Sequence, residues 1–260
     1  MLKEDLISGF IIDEYLKSLK NSLNIDIVVV GSGPSGLVAS YYLAKRGYSV
    51  SIFEKRLSVG GGIWGGGMMF NKIIVQDDAL EILNEFDITY KKIDINYNVC
   101  DSIEFVSGLI YKTKKAGVKI FNLISVEDLV FRENTVSGVV INWSPVIEMG
   151  LHVDPISIIS KVVIDATGHP AEIVKILEKK NDVKLNTPTG HSIGERSMWA
   201  DFAEKNIVNY VKEIYPGLFV TGMAAVSVFG APRMGPIFGG MLISGRDVAV
   251  KVDKKLGGVP

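Results

Sequence analysis

Residues 25–54 read IDIVVVGSGPSGLVASYYLAKRGYSVSIFE, and this order decides the fold. A β-branched run, Ile27 to Val30, ends in Gly31, Gly33 and Gly36 at G-x-G-x-x-G spacing. A helix-compatible stretch follows to Arg46, and a second apolar strand, Val50 to Phe53, delivers Glu54. The three glycines have separate physical reasons: a tight turn, close approach of backbone to a pyrophosphate, and close helix–strand packing. The free amides and positive dipole end at the helix start form an anion site. Glu54 stands where a ribose hydroxyl pair needs an acceptor. A glycine-rich turn alone requires no ligand; strand, helix and acid together predict an adenine dinucleotide site.

Bulk properties narrow the classes around this unit. The chain has 260 residues, 47% hydrophobic and 22% charged, as expected of a globular protein with a sizeable core. A formal net charge of -1 argues against a nucleic-acid partner held by bulk charge. No stretch reaches roughly 18 clean apolar residues, so no membrane span is expected. The N-terminus, MLKEDLISGF, carries early acids rather than a secretory layout. With Cys100 as the single cysteine, an intrachain disulfide and an all-cysteine metal cluster are impossible, and a cytoplasmic location is expected.

The expected organisation is one α/β domain over 1–260. An amphipathic helix within residues 1–24 carries Leu6, Ile7, Phe10, Ile11, Tyr15, Leu16 and Leu19 at helical spacing. It precedes the first nucleotide-unit strand, so it packs outside that unit or on another subunit. The nucleotide fold occupies 25–260, with inserted β material around 119–143. A second cluster, Gly60 to Gly67, has six glycines in eight positions and predicts irregular backbone near a ligand or a mobile loop. Helices are expected over Asp77–Phe86 and Asp101–Ala116, flanking a short strand near Thr89–Ile93. Lys119–Asn122 reads as a strand, and Ser125–Phe131 with Thr135–Trp143 as a hairpin across Glu133 and Asn134. A strand over Lys161–Ile164 follows, with Pro170 at the first position of a helix to Lys180. A late strand, Leu218–Val220, precedes a C-terminal helix from about Gly239 to Val252. This order is a doubly wound, Rossmann-like fold with an inserted hairpin.

Two of the three histidines, His152 and His169, fall in loops after predicted strands, where open parallel sheets bind ligands. With Asp154 they form a plausible N/O set for a divalent metal, and two imidazoles with one carboxylate suit ferrous iron. Spacing is equally satisfied if His152 caps a turn, Asp154 serves ordinary turn chemistry before Pro155, and His169 caps a helix. Arg233 is a lone guanidinium in a Gly/Pro-rich apolar loop, either solvated or set to fork onto a carboxylate or phosphate.

The fingerprint, the Asp165–Gly168 segment and the late strand Gly217–Gly222 resemble FAD-dependent enzymes of the glutathione-reductase type. Where those enzymes place an acid after the last strand, this chain has Gly222 and Met223. An FAD-dependent oxidoreductase and a non-catalytic dinucleotide-binding module are therefore the competing readings.

The chain resembles the thiamine thiazole synthases over nearly its whole length. The match runs through Gly31–Gly36, Glu54 and Lys55, Gly60–Trp64, His152–Pro155, Ala166–Pro170 and Gly235–Met241. The resemblance implies a transferase that consumes NAD and glycine, adds sulfur, and closes an ADP-linked thiazole carboxylate. It implies Ser35, Glu54, Lys55, Gly62, Val126, His152, Val153, Asp154 and Met223 around the nucleotide, and Arg233 on the carboxylate of glycine. Asp154 and His169 are implied as Fe(2+) ligands from adjacent subunits of a homo-oligomer, an octamer. Some members surrender the sulfur of a cysteine two residues before the metal-binding aspartate; here that position is His152. A multi-turnover catalyst using free sulfide is the expectation, with His152 a candidate proton shuttle.

Overall fold

The computed structural model describes residues 1–258. Helix α1 (Glu4–Lys20) and strand β1 (Asn24–Val30) open the chain, and α2 (Pro34–Lys45) leads to β2 (Val50–Glu54). Ile27, Val28 and Val29 have 0% accessible surface, as a parallel strand covered on both faces requires. Pro34 starts α2, where an N–H has no intrahelical partner to lose.

The glycine cluster departs from its expected irregularity: Gly61–Gly65 form a 3-10 turn. Its short i→i+3 bonds need few residues, and Gly60 and Gly66 flank it at φ 113° and 60°. A small antiparallel sheet comes next, of which only the strand near Thr89–Ile93 was expected. Strands β3 (Lys72–Val75), β4 (Tyr90–Asp94) and β5 (Tyr97–Asp101) stand in the order β3-β5-β4, with α3 (Leu80–Glu85) between β3 and β4 in the chain. Asp101 then caps α4 (Ser102–Lys115) by accepting from the amides of Ile103 and Glu104.

Strand β6 (Lys119–Asn122) returns to the main sheet, followed by β7 (Ile124–Arg132) and β8 (Thr135–Trp143). Their two-residue turn, Glu133 and Asn134, has φ 49° and 57°, the conformation a tight hairpin needs. After the short helix α5 (Ser144–Glu148) comes β9 (Ile156–Asp165), longer than the expected Lys161–Ile164. Its first half pairs antiparallel with β8 and its second half parallel with β1, so the hairpin is grafted onto the nucleotide sheet. Helix α6 (Glu172–Lys180) begins beyond Pro170. Ala171 caps it in a left-handed conformation at φ 45°, so Pro170 lies in the preceding turn rather than at the first helical position. The chain closes with α7 (Ala200–Tyr210), β10 (Lys212–Tyr215), β11 (Leu218–Val220), α8 (Gly222–Phe229) and α9 (Gly239–Leu256).

The main sheet runs β10-β11-β9-β1-β2-β6, with β7 joined through β8 to β9. Strand β1 therefore lies between β2 and β9, and Val30 is opposite both Phe53 and Asp165. The chain progresses outward from β1 in both directions, which opens a crevice beyond its carboxyl end.

Helix α1 contributes no buried residue, and Leu6, Ile7, Phe10, Ile11 and Leu16 are exposed. Its clearest anchor is Tyr15, stacked on Trp143 at 6.1 Å between ring centroids. Among the described residues, no helix is long and apolar enough to cross a membrane.

Candidate nucleotide and metal site

A cavity of about 410 Å³ lies beyond the carboxyl ends of β1, β2 and β9, within the size range of small-molecule sites. Its wall on one side is the glycine fingerprint, and the structure separates the three glycine roles. A Cβ on Gly31 would sit 2.5 Å from the Ala166 carbonyl oxygen, and one on Gly36 would sit 2.3 Å from that of Gly31. Those two glycines are demanded by packing. A Cβ on Gly33 would meet nothing within 4 Å, so the protein leaves that space open at the helix N-terminus.

Glu54 is buried at the end of β2 and braces this turn. Its Oε2 accepts from the Ser32 amide at 2.9 Å and hydroxyl at 2.6 Å, and its Oε1 accepts from the Arg56 amide at 2.9 Å. A carboxylate oxygen accepts two donors, so Oε1 retains room for one more. Lys55 pairs with Glu172 on the cavity wall.

The opposite wall is shaped by Asp165, which is wholly buried at the end of β9. Oδ1 accepts from the Thr167 amide at 2.9 Å and hydroxyl at 2.7 Å; Oδ2 accepts from the Ile173 and Val174 amides, each at 3.1 Å. Burial pushes its carboxyl above the usual range, while those donors pull it back. One side chain thus ties the strand end, the Thr167–Pro170 turn and the first turn of α6 together.

That turn places His169 on the cavity wall, with Arg233 entering from the segment after α8. Between them stands Glu195, which no sequence motif marks. Its Oε2 lies 2.5 Å from His169 Nδ1, and its Oε1 lies 3.5 Å from Arg233 Nε. The only sequence signal for it was its place among charged residues in the 186–198 segment. That segment is laced to the end of α8 and the chain that follows: the Gly194 amide donates to Ser227, the Arg196 amide to Ala231, and the Arg233 amide to Arg196.

Of the residues singled out in the sequence, Ser35, Glu54, Lys55, Gly62, Val126, Met223, His169 and Arg233 all line the one cavity. His152, Val153 and Asp154 do not. They follow α5 rather than the expected strand, on an exposed segment that does not line this cavity. The segment is tied to β8 by a hydrogen bond from the Asn142 side-chain amide to the Val153 carbonyl at 3.0 Å. Among the described residues, no group of three His, Cys, Asp or Glu side chains converges as a metal site. Cys100 is buried in β5, and burial pushes its thiol up to about 12, which keeps it protonated and poorly nucleophilic at neutral pH.

A dinucleotide-binding fold whose crevice also gathers an imidazole and a guanidinium is the class these features define. A model of the Thi4 family matches residues 8–238. A thiamine thiazole synthase of Pyrococcus furiosus is 55% identical over 257 residues, covering 99% of this chain and 100% of that protein. The crystal structure of Thermovibrio ammonificans THI4 aligns with a TM-score of 0.95 at 46% identity, covering 98% of this chain and 99% of that one. L-proline dehydrogenase from P. horikoshii, at 15% identity and a TM-score of 0.51, shares the fold alone, covering 91% of this chain and 94% of that one. The chain belongs to the Thi4 family, and that membership supports a thiamine thiazole synthase function.

Proposed function

We propose that this protein makes the ADP-thiazole carboxylate precursor of thiamine from NAD, glycine and sulfide, with Fe(II), over many turnovers. The observation that carries the reading is the single cavity that joins a pyrophosphate cradle at Gly33 to His169 and Arg233. The α2 N-terminus receives the pyrophosphate, and the remaining acceptor site of Glu54 takes a ribose hydroxyl. Arg233 forks onto the carboxylate of glycine, fixing the amine toward the ribose-derived carbon chain.

The donor chemistry fits iron as a site shared between chains. His169 supplies an imidazole nitrogen at the cavity wall, and Asp154 supplies a carboxylate from the exposed segment of an adjacent subunit. Bound there, ferrous iron would supply a centre with affinity for soft sulfide and open positions for substrate. His152 reaches the same place from the neighbouring chain and serves as the proton shuttle. Exposed apolar residues support such an assembly: Met149, Leu151 and Val153 flank His152, and the apolar face of α1 is uncovered. A homo-octamer of cytoplasmic protein is the state we assign. The inert environment of Cys100 and the histidine at 152 together favour free sulfide over a sacrificed thiol.

Mass spectrometry of the small molecule released from anaerobically purified protein tests the reading. An adenylated thiazole carboxylate is the expected species. A flavin, or NAD left unaltered after incubation with glycine, sulfide and Fe(II), would defeat it.

A further inference from the structure

The carboxylate of Glu195 stands behind the cavity wall rather than on it, and each of its oxygens faces a different wall residue. Oε2 engages His169 Nδ1, and Oε1 faces Arg233 Nε. A carboxylate accepts only, so Nδ1 is the donor, and in the neutral imidazole Nε2 is then the nitrogen with the free lone pair. Among the described residues, no hydrogen bond occupies that Nε2. On the arginine, the ion pair at Nε, 3.5 Å long, leaves the terminal nitrogens to fork onto a planar anion.

An exposed ion pair ordinarily fixes little. Here the backbone on either side of the charged residue is itself held. Gly194 and Arg196, on either side of Glu195, donate their amides to Ser227 and Ala231 at 2.9 Å each, and the Arg233 amide returns a bond to Arg196 at 3.2 Å. The Glu195 side chain is only 25% exposed, against 49% for His169 and 50% for Arg233. The more buried group therefore stands between two more exposed ones, which is the arrangement required of a support.

We propose that Glu195 is a positioning residue that orients two parts of the site at once. It holds His169 in the Nδ1–H tautomer with Nε2 available to a metal, and it braces Arg233 for the carboxylate of the amino-acid substrate. The metal half of this assignment rests on the function proposed above; the tautomer half stands on the metal-free protein.

Two substitutions test it in the full assembled protein. Glu195→Gln keeps the size but has one acceptor oxygen in place of two, and Glu195→Ala has none. The first readout is nitrogen-15 NMR of the three imidazoles at a pH where they are neutral, without metal. His169, assigned by its loss in a His169→Gln variant, is expected as the Nδ1–H tautomer in wild type, with Nε2–H gained in Glu195→Ala. The second is anaerobic titration with Co(II), a spectroscopic probe for the Fe(II) site. Loss of such an outer partner is expected to weaken binding roughly 10–100-fold in Glu195→Ala, less in Glu195→Gln. An unchanged tautomer with unchanged Co(II) affinity in Glu195→Ala, whose fold is checked by thermal unfolding, overturns the proposal. Wild-type protein that binds neither Co(II) nor Fe(II) overturns the metal reading itself, a result distinguishable from the first.

Discussion

Gly33→Ala is expected to fold normally and to lose dinucleotide binding. The backbone at Gly33 has φ -66° and ψ 178°, a conformation open to any residue, and its added Cβ would touch nothing within 4 Å. The methyl group would instead occupy the space in which a pyrophosphate meets the α2 amides. Displacing the ligand from two charge-assisted hydrogen bonds, about 1.5–3 kcal/mol each, weakens NAD affinity by roughly 100-fold or more. Calorimetric titration reads the affinity, and thermal unfolding reads the fold. Gly36→Ala is the control with the opposite signature. Its Cβ would lie 2.3 Å from the Gly31 carbonyl oxygen, so the protein itself is destabilised. Wild-type NAD affinity in Gly33→Ala would show that the cradle does not hold the pyrophosphate.

Asp165→Asn is expected to cost stability on a scale unusual for so small a change. The carboxylate receives four donors, two at each oxygen, in a fully buried position. An asparagine keeps one oxygen and turns an NH₂ group toward donors that had an acceptor. Two unpaired buried donors imply a loss of about 2–4 kcal/mol, a fall in Tm of roughly 5–15 °C for a chain of this size. Because the same carboxylate shapes the Thr167–Pro170 turn, the variant also displaces His169. Differential scanning calorimetry supplies the test, and an unaltered Tm would contradict the bracing role.

Residues 25–54 made the nucleotide half of the site legible because its physics is local. Turn, helix start and acid follow one another in the chain, and their periodicities switch within a few residues. The hairpin was legible for the same reason, since Glu133 and Asn134 both adopt φ > 0. Of the small β3-β5-β4 sheet, only β4 was. Strand β4 answers to the strand expected near Thr89–Ile93, whereas β3 and β5 are only 4 and 5 residues long and are defined by their pairing with each other. Helix α7 escaped because its buried residues reduce to Ala203 and Ile207. Glu195 was hidden for a different reason. Its partners lie 26 and 38 positions away, as the numbers of His169 and Arg233 show, and no local pattern encodes a meeting of three loops. Asp154 shows the limit most plainly, because its proposed partner belongs to another copy of the chain.

The most direct test of the account supplies the protein anaerobically with NAD, glycine, Fe(II) and heavy-isotope-labelled sulfide, and counts labelled thiazole per chain. Many labelled products per chain are expected, with one nicotinamide released for each and Cys100 of unchanged mass. At most one product per chain, unlabelled and accompanied by loss of the Cys100 sulfur, would contradict it.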